Sequence, residues 1–246
     1  MLGVTYPVVQ APITYIARAA LAAAVSETGG LGVIETLTEE GRADLLRARD
    51  LTDRPVGANL MIQGWKRDPS IVDVLVEANV RHVFTSAGDP GLFTARLHDA
   101  GMTVVHVVGS LNGARKAVDA GVDALVVEGV QMGTRMLASR EAAVHANFKD
   151  AIVAADDGGT ILLNLPGNPT MRVLHVGLAR RVATEGAEAP LISGVTQLYF
   201  EGDMEASVAN TGQVSSRIVE VLPVADIIRS TWVDAQTALT DAAARF

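Results

Sequence analysis

The segment Gly121-Val-Asp-Ala-Leu-Val-Val-Glu-Gly-Val-Gln-Met-Gly-Thr-Arg135 contains the pattern on which the predicted fold is based. Its apolar run from Ala124 to Val130 predicts a buried strand, and the polar turn that follows leads into a helix. Gly133 would leave room for a ligand beside the backbone, and Thr134 would offer a hydroxyl and a free N–H at the helix start. Such a turn can hold an anion, because the first helical amides have no intrahelical partner and the helix dipole is positive there. An ordinary N-cap explains the same residues without a ligand, so both interpretations stay open at this point.

The same strand-then-helix unit recurs upstream, from Pro7 to Gly129. Its strands are continuously apolar rather than alternating, which is typical of parallel strands covered by helices. No Gly-x-Gly-x-x-Gly follows the first strand, which argues against a doubly wound dinucleotide-binding fold. Polar candidates instead fall at the carboxyl ends of several strands, where a TIM-type (β/α) barrel builds its active site. These candidates are Gln10, Asn59, Ser86, Glu128 and Gln131.

After Arg135 the pattern changes, and fewer strands are predicted. Helices are predicted over Ser139–Ala155 with Ser139 as the N-cap, over Arg172–Glu185 and over Val224–Arg245, with a short strand at Thr160–Asn164 and a turn at Pro166–Pro169. We therefore predict two regions, a (β/α) barrel over residues 1–138 and a helical cap that also closes the barrel over residues 139–246.

The amino-acid composition limits the classes of function that this chain can have. The 246 residues are 49% hydrophobic, which is enough for one α/β domain with a sizeable core. A net charge of −8 without a basic cluster argues against nucleic acid and membrane surfaces as partners. The absence of cysteine excludes disulfides and thiolate chemistry, and no histidine pair has metal-ligand spacing. With no signal peptide and no apolar stretch long enough to span a bilayer, the sequence predicts a cytoplasmic protein.

Four fragments together resemble one enzyme family. They are Tyr6-Pro-Val-Val-Gln-Ala-Pro-Ile13, Ala22-Ala-Ala-Val-Ser-Glu-Thr-Gly-Gly-Leu-Gly-Val33, Val56-Gly-Ala-Asn-Leu-Met61 and Gly129-Val-Gln-Met-Gly-Thr-Arg135. In this order they resemble the FMN-dependent nitronate monooxygenases (2-nitropropane dioxygenases), a family that includes the flavin-dependent enoyl-acyl carrier protein reductases. Two later stretches, Asn147-Phe-Lys149 and Gly212-Gln213 with Glu220-Val-Leu-Pro223, fit the family's C-terminal part.

The resemblance implies a TIM-type barrel with FMN across the carboxyl ends of its strands. The turn after the first strand would present its backbone to the reactive edge of the isoalloxazine, and an asparagine after the third strand would bind the ring or the ribityl chain. The turn before Arg135 would hold the phosphate. A rigid X-Pro turn, a loop-capping amide and an N-cap are the corresponding structural alternatives. The predicted cofactor-binding residues are Ala11, Pro12, Ile13, Asn59, Gln131, Met132, Gly133 and Thr134.

The implied activity is oxidation of alkyl nitronates or nitroalkanes by dioxygen to carbonyl compounds and nitrite. The implied partners are a small-molecule substrate and dioxygen, and a homodimer is compatible with the sequence. One alternative is NAD(P)H-dependent reduction of an enoyl thioester on the same scaffold. Another is a flavin-binding paralogue that has lost catalysis.

The sequence departs from the family pattern between Glu128 and Gln131. Family members carry a Gly-Gly-His segment after the sixth strand, whose histidine is the proposed catalytic base, and then a strand ending in Gly-Gly-Ile that supplies half of the phosphate site. Here Glu128-Gly129 runs directly into Val130, so about 50 residues, or two strand-plus-helix units, are missing. A barrel cannot simply lose two strands, because closure links strand number to tilt and shear. An omitted segment, a naturally truncated paralogue and an oligomer that supplies the missing wall all explain the gap.

No catalytic residue follows from the sequence without that histidine. His106, within a predicted strand, could face the barrel interior near the flavin or could be a buried, hydrogen-bonded side chain. Glu128, the one carboxylate at a strand end near the phosphate turn, could act as an acid or base or could cap a loop.

Overall fold

A computed structural model of the chain describes residues 1–66, 68–126, 131–164, 170–185 and 193–243. The chain divides into two compact units, Met1–Met132 with Ile228–Phe246, and Gly133–Ile227. We call them the barrel unit and the 133–227 unit. The sequence-based division into 1–138 and 139–246 stays a prediction.

The barrel unit is built on short parallel strands. Those in its described part are β1 Val9–Gln10, β2 Gly32–Ile34, β3 Val56–Met61, β4 His82–Ser86, β5 Thr103–Val107, β6 Ala124–Val126 and β7 Gln131–Met132. Strands β2 to β6 pair in sequence order, and β1 pairs with β7. A parallel bridge between Val9 and Leu31 joins β1 to the start of β2. The strand order is therefore β7-β1-β2-β3-β4-β5-β6.

The connection between β6 and β7 requires this ladder to curl. Six spacings of about 4.8 Å would separate the outer strands of a flat sheet by about 29 Å. Val126 and Gln131 are five residues apart, so the chain between them spans at most about 18 Å. The two ends of the ladder must therefore approach each other, as in a barrel. The predicted Glu128–Val130 junction lies outside the described residues, as does the end of the predicted strand Ala124–Val130.

Helices follow the strands in the predicted alternation. They are α1 Ala19–Thr28, α2 Glu39–Leu51, α3 Ile62–Trp65, α4 Ile71–Glu77, α5 Thr94–Asp99 and α6 Leu111–Asp119. Thr38, followed by two acidic residues, predicts the N-cap of α2, and this prediction is confirmed. The Thr38 hydroxyl accepts a hydrogen bond from the Gly41 N–H at 2.9 Å. Gly29 ends α1 in the left-handed conformation, with φ +102°. At Gly32 a Cβ atom would lie 2.0 Å from the Ala22 carbonyl oxygen, so α1 can pack on β2 only beside a glycine.

The strands bury two different faces. Leu60, Val83 and Val104 belong to the layer between the strands and the helices. Val33, Phe84 and Val105 belong to a separate inner cluster, which Ala124 and Val126 also contact. Because residues in register in parallel strands point to the same side, Asn59, paired with Phe84, lies on the inner face.

The 133–227 unit is more mixed than the predicted helical cap. It contains α7 Thr134–Leu137, α8 Ala146–Val153, α9 Gly177–Glu185 and an antiparallel pair of strands, β8 Thr160–Leu163 and β9 Met171–Leu174. Shorter helical turns cover Gln197–Glu201 and Gln213–Arg217, and α10 Val224–Ala243 begins here and continues into the barrel unit.

For two helices in this region the predicted starting residue was wrong, because each helix begins several residues later. The predicted helix from Ser139 starts only at Ala146, because Ser139 instead bridges Leu222 as an extended residue. The predicted helix from Arg172 starts only at Gly177, because Met171–Leu174 pairs with β8. The predicted turn at Pro166–Pro169 lies outside the described residues. Within the described residues, every helix is too short or too polar to cross a membrane.

Candidate functional site

The carboxyl ends of β1 and β7 bring two predicted cofactor-binding segments together. Val9 and Gln10 are in register with Gln131 and Met132. The Ala11 N–H then donates to the Met132 carbonyl oxygen at 3.4 Å, which extends the pairing into the turn after β1. Ala11 and Met132 are 121 positions apart in the sequence and adjacent in the fold.

The turn after β1 is fixed by its own backbone. The Ile13 carbonyl accepts hydrogen bonds from the N–H groups of Ile16 at 3.0 Å and Ala17 at 2.8 Å. The Ala17 carbonyl in turn accepts from the Glu35 N–H at 3.1 Å, which ties the turn to the loop after β2. Pro12, at the start of this turn, has a fixed φ and no N–H of its own. Hydrogen bonds therefore fix the backbone at both ends of the segment Ala11–Ile13.

Asn59 lies two strands away from β1 on the inner face and is 8% exposed. Its amide group donates to the Phe84 carbonyl at 2.9 Å and to the Ser86 hydroxyl at 3.4 Å. Its side-chain oxygen makes no hydrogen bond to the part of the chain that the structure describes. Two strand spacings, about 10 Å, separate β1 from β3. That distance matches the length of a flat three-ring system.

Gln10, one of the polar candidates, has a structural role. Its side chain is fully buried, accepts from the Val33 N–H at 3.1 Å and donates to the Val33 carbonyl at 3.1 Å. These bonds continue the pairing of β1 with β2 where the backbone ladder stops. Gln10 thereby helps to set the position of Ala11, to whose carbonyl it also donates.

Gly133 and Thr134 belong to the 133–227 unit. The Thr134 hydroxyl accepts the Gly212 N–H at 2.7 Å, so two segments used for the family resemblance contact each other. The hydroxyl hydrogen stays available for a second partner. The helix that follows is a single turn, Thr134–Leu137. A dipole contribution from this helix is correspondingly small.

A buried carboxylate at the end of β2 was missed from the sequence. Glu35 is 1% exposed and accepts from the Leu37 N–H at 2.9 Å and the Thr38 N–H at 3.2 Å. Arg18, before α1, lies 3.5 Å from Glu35 and 3.2 Å from Asp44. These contacts fix the loops after β1 and β2 to each other. An acid directly after a buried strand was the signal that could have identified it.

The histidines of the barrel unit do not supply a base at this edge. His106 is buried on the helix-facing side, in register with Thr85, whose hydroxyl lies 2.7 Å from Nδ1. Burial lowers the pKa of His106, and the nearby Asp89 opposes that shift only partly. His82, at the start of β4, is also buried. Its pKa is lowered mainly by burial and to a smaller extent by the positive charges of the N-terminus and Arg81. His98 is partly exposed beside Asp123, at 2.8 Å.

The structure therefore favours the hydrogen-bonded interpretation of His106 over a role in the barrel interior. Among the described residues, no three His, Asp or Glu side chains lie close enough together to hold a metal ion. Glu128, the other candidate acid or base, lies outside them.

Comparisons with known proteins agree with the resemblance. Residues 1–71 match the nitronate monooxygenase family. A nitronate monooxygenase of Pseudomonas aeruginosa is 46% identical over 63 residues, which are 24% of this chain and 18% of that protein. A (3aS,4S,5R,7aS)-5-hydroxy-7a-methyl-1-oxo-octahydro-1H-indene-4-carboxyl-CoA dehydrogenase of Mycobacterium tuberculosis is 29% identical over 136 residues, 54% of this chain and 38% of the dehydrogenase. The chain thus spans well under half the length of either relative.

The structural comparison covers far more of the chain. FabK from Thermotoga maritima superposes with a TM-score of 0.84 and 26% identity, over 98% of this chain and 97% of FabK. The resemblance stated from the sequence is therefore confirmed. Residues 1–71 match the nitronate monooxygenase family, and the chain is similar in fold to the barrel of FabK over nearly its whole length.

Proposed function

We propose that the chain binds FMN at the carboxyl ends of its parallel strands and oxidises alkyl nitronates with dioxygen to carbonyl compounds and nitrite. The observation that carries this proposal is the contact between Ala11 and Met132 on a chain whose residues 1–71 match the nitronate monooxygenase family, with Asn59 two strands away on the inner face. Bound FMN would supply the electron transfer between nitronate and dioxygen, which amino-acid side chains cannot perform.

The residues present fit an isoalloxazine ring. The Ala11–Ile13 backbone would lie at one end of the ring. At the other end, about 10 Å from β1, the side-chain oxygen of Asn59, which bonds to no described residue, would accept a hydrogen bond from a ring N–H. The inner apolar cluster around Phe84 would exclude water beneath it. The phosphate contacts of Gly133 and Thr134, in the 133–227 unit, stay an expectation of the family resemblance.

The described part of the barrel unit offers no histidine base at the carboxyl ends of the strands, and this restricts the proposed substrate. No histidine of the barrel unit reaches the carboxyl edge of the strands, since His106 faces the helices and His82 lies at the opposite strand end. These histidines are therefore not placed to deprotonate a neutral nitroalkane. We infer that the substrate is a pre-formed nitronate.

The test is reconstitution of the purified full chain with FMN, followed by measurement of oxygen uptake. We expect uptake with propyl-1-nitronate and uptake at least about tenfold slower with neutral 1-nitropropane, as expected for a missing general base. Asn59→Ala should weaken FMN binding about tenfold through one lost hydrogen bond in a buried site. Thr85→Val, on the helix-facing side of the neighbouring strand, is the matched control and should leave FMN affinity unchanged. A protein that takes up no FMN, or that consumes no oxygen with nitronates, contradicts the proposal.

The second candidate function is reduction of an enoyl thioester by NAD(P)H. The match to FabK over nearly the whole chain favours it. Anaerobic bleaching of bound flavin by NADPH, followed by reoxidation with a crotonyl thioester, would identify this activity. Bleaching by the nitronate but not by NADPH would support the first proposal instead.

A further inference from the structure

Tyr15 has an unusual backbone conformation. Its φ is +69°, in the left-handed region that side chains with a Cβ rarely adopt. In the described part of the chain, the other non-glycine residues with positive φ are Asn79 and Ala87. Asparagine tolerates this region, and alanine carries only a Cβ, so Tyr15 is the bulkiest of the three. Glycine would form the same turn without strain.

The surrounding structure holds Tyr15 in place. Ile16 and Ala17, which follow it, are fully buried, and both donate their N–H groups to the Ile13 carbonyl. Ala17 is bonded in turn to Glu35, which also contacts Arg18. Strain of this kind persists only where neighbouring contacts over-determine the backbone, and it is concentrated at functional sites.

The location of Tyr15 suggests a role for its strained backbone conformation. Thr14 and Tyr15 form the apex of the turn that follows Pro12, at the carboxyl end of β1. The Tyr15 side chain is half-buried. Its hydroxyl makes no hydrogen bond to any residue in the described ranges. An aromatic ring with an unused donor therefore lies two residues beyond the segment proposed to face the flavin.

We propose that Tyr15 is a specificity-determining residue, whose ring forms a wall of the substrate pocket and whose hydroxyl donates a hydrogen bond to an oxygen of the bound nitronate. The inference rests on the proposed function and adds the group that recognises the substrate. A nitronate is planar and anionic, and a phenol that donates to an ionised oxygen forms a short, strong hydrogen bond. The aromatic ring would also cover the alkyl chain.

The test uses the full chain reconstituted with FMN and two variants. Tyr15→Phe removes only the hydroxyl, and Tyr15→Gly removes the ring and relieves the φ strain. Binding of butyrate, an inert carboxylate with the shape and charge of a nitronate, is followed by the change in flavin absorbance. We expect Tyr15→Phe to weaken butyrate binding and raise the KM for propyl-1-nitronate about tenfold or more, the usual effect of losing a hydrogen bond to a charged oxygen. FMN affinity and Tm should stay unchanged.

Tyr15→Gly separates recognition from structure. We expect its Tm to equal or exceed that of the wild type while its butyrate affinity falls below that of Tyr15→Phe. Asn79→Gly, which relieves a positive φ after α4, is the control and should leave butyrate affinity and KM unchanged. Wild-type butyrate affinity in Tyr15→Phe overturns the inference, and so does a joint fall of Tm and FMN affinity in Tyr15→Gly. Failure of the wild type to bind FMN or oxidise nitronates is a different result, because it contradicts the proposed function itself.

Discussion

Strands β5 and β6 are neighbours in one parallel ladder, yet their surroundings differ. In β5, Val104, Val105 and His106 are buried, and the helix before it buries Leu97 completely. In β6, all three residues are only half-buried. The helix before β6, α6, buries only Ala117 among its nine residues.

The difference shows which edge of the ladder is least covered. Strands β2 to β5 are covered on both faces, as parallel strands in barrels are. The cover becomes incomplete at β6, directly before the Glu128–Val130 junction at which the family resemblance implies two missing units. Reduced burial at this edge is what the absence of such units would cause.

The largest expected effect tests this contrast in stability. Phe84 is 1% exposed within the inner cluster, so Phe84→Ala should lower the free energy of unfolding by about 3–5 kcal/mol. Val126→Ala in β6 should cost about 1 kcal/mol or less, because little buried surface is lost. Urea denaturation of both variants measures the difference. Equal losses would show that β6 is as well covered as β4.

A smaller effect is expected at the pair Thr85–His106. Thr85→Val leaves Nδ1 of a buried imidazole without a partner, which should cost about 1–3 kcal/mol. Replacing both partners, as in Thr85→Val with His106→Leu, should cost less than the single change, because no polar atom is then left unpaired. A double variant that is less stable than Thr85→Val would show that the hydrogen bond is not the main contribution of this pair.

The same pair should make stability depend on pH. Burial lowers the pKa of His106 below its ordinary 6.5, so below that pH the unfolded chain binds a proton that the folded chain does not. The free energy of unfolding should therefore fall as the pH drops, until the lowered pKa is passed. The double variant lacks this imidazole and should lose less stability than the wild type between about pH 7 and about pH 5.

Local signals in the sequence predicted the barrel unit well. Thr38 predicts the start of α2, and Asp89-Pro90 predicts a helix start after β4. In the structure each side chain accepts an N–H two or three residues ahead. The order of strands also followed from apolar runs between such caps. Of the predicted cofactor-binding residues, Ala11 and Met132 are in contact in the fold. Their proposed role came from the family resemblance.

Features that depend on distant pairing could not be predicted. Ser139 looked like an N-cap, yet it bridges Leu222, 83 positions later. Met171–Leu174 has the composition of a helix start, yet it pairs with β8. The conformation of Tyr15 has no signature in the sequence either, because its neighbours impose it.

The smallest expected change in the free energy of unfolding is at α6, where it tests whether the outer face of the helix is exposed to solvent. Val118 is 62% exposed, so Val118→Ser should change the free energy of unfolding by no more than about 0.5 kcal/mol. Val25→Ser in α1, where the side chain is fully buried, is the matched control and should cost at least about 2 kcal/mol. A loss above about 1 kcal/mol at Val118 would mean that something covers α6. An intact mass above 25.7 kDa would then identify a longer chain as the cover. An intact mass of 25.7 kDa together with a native mass twice as large would instead identify a second copy of the chain.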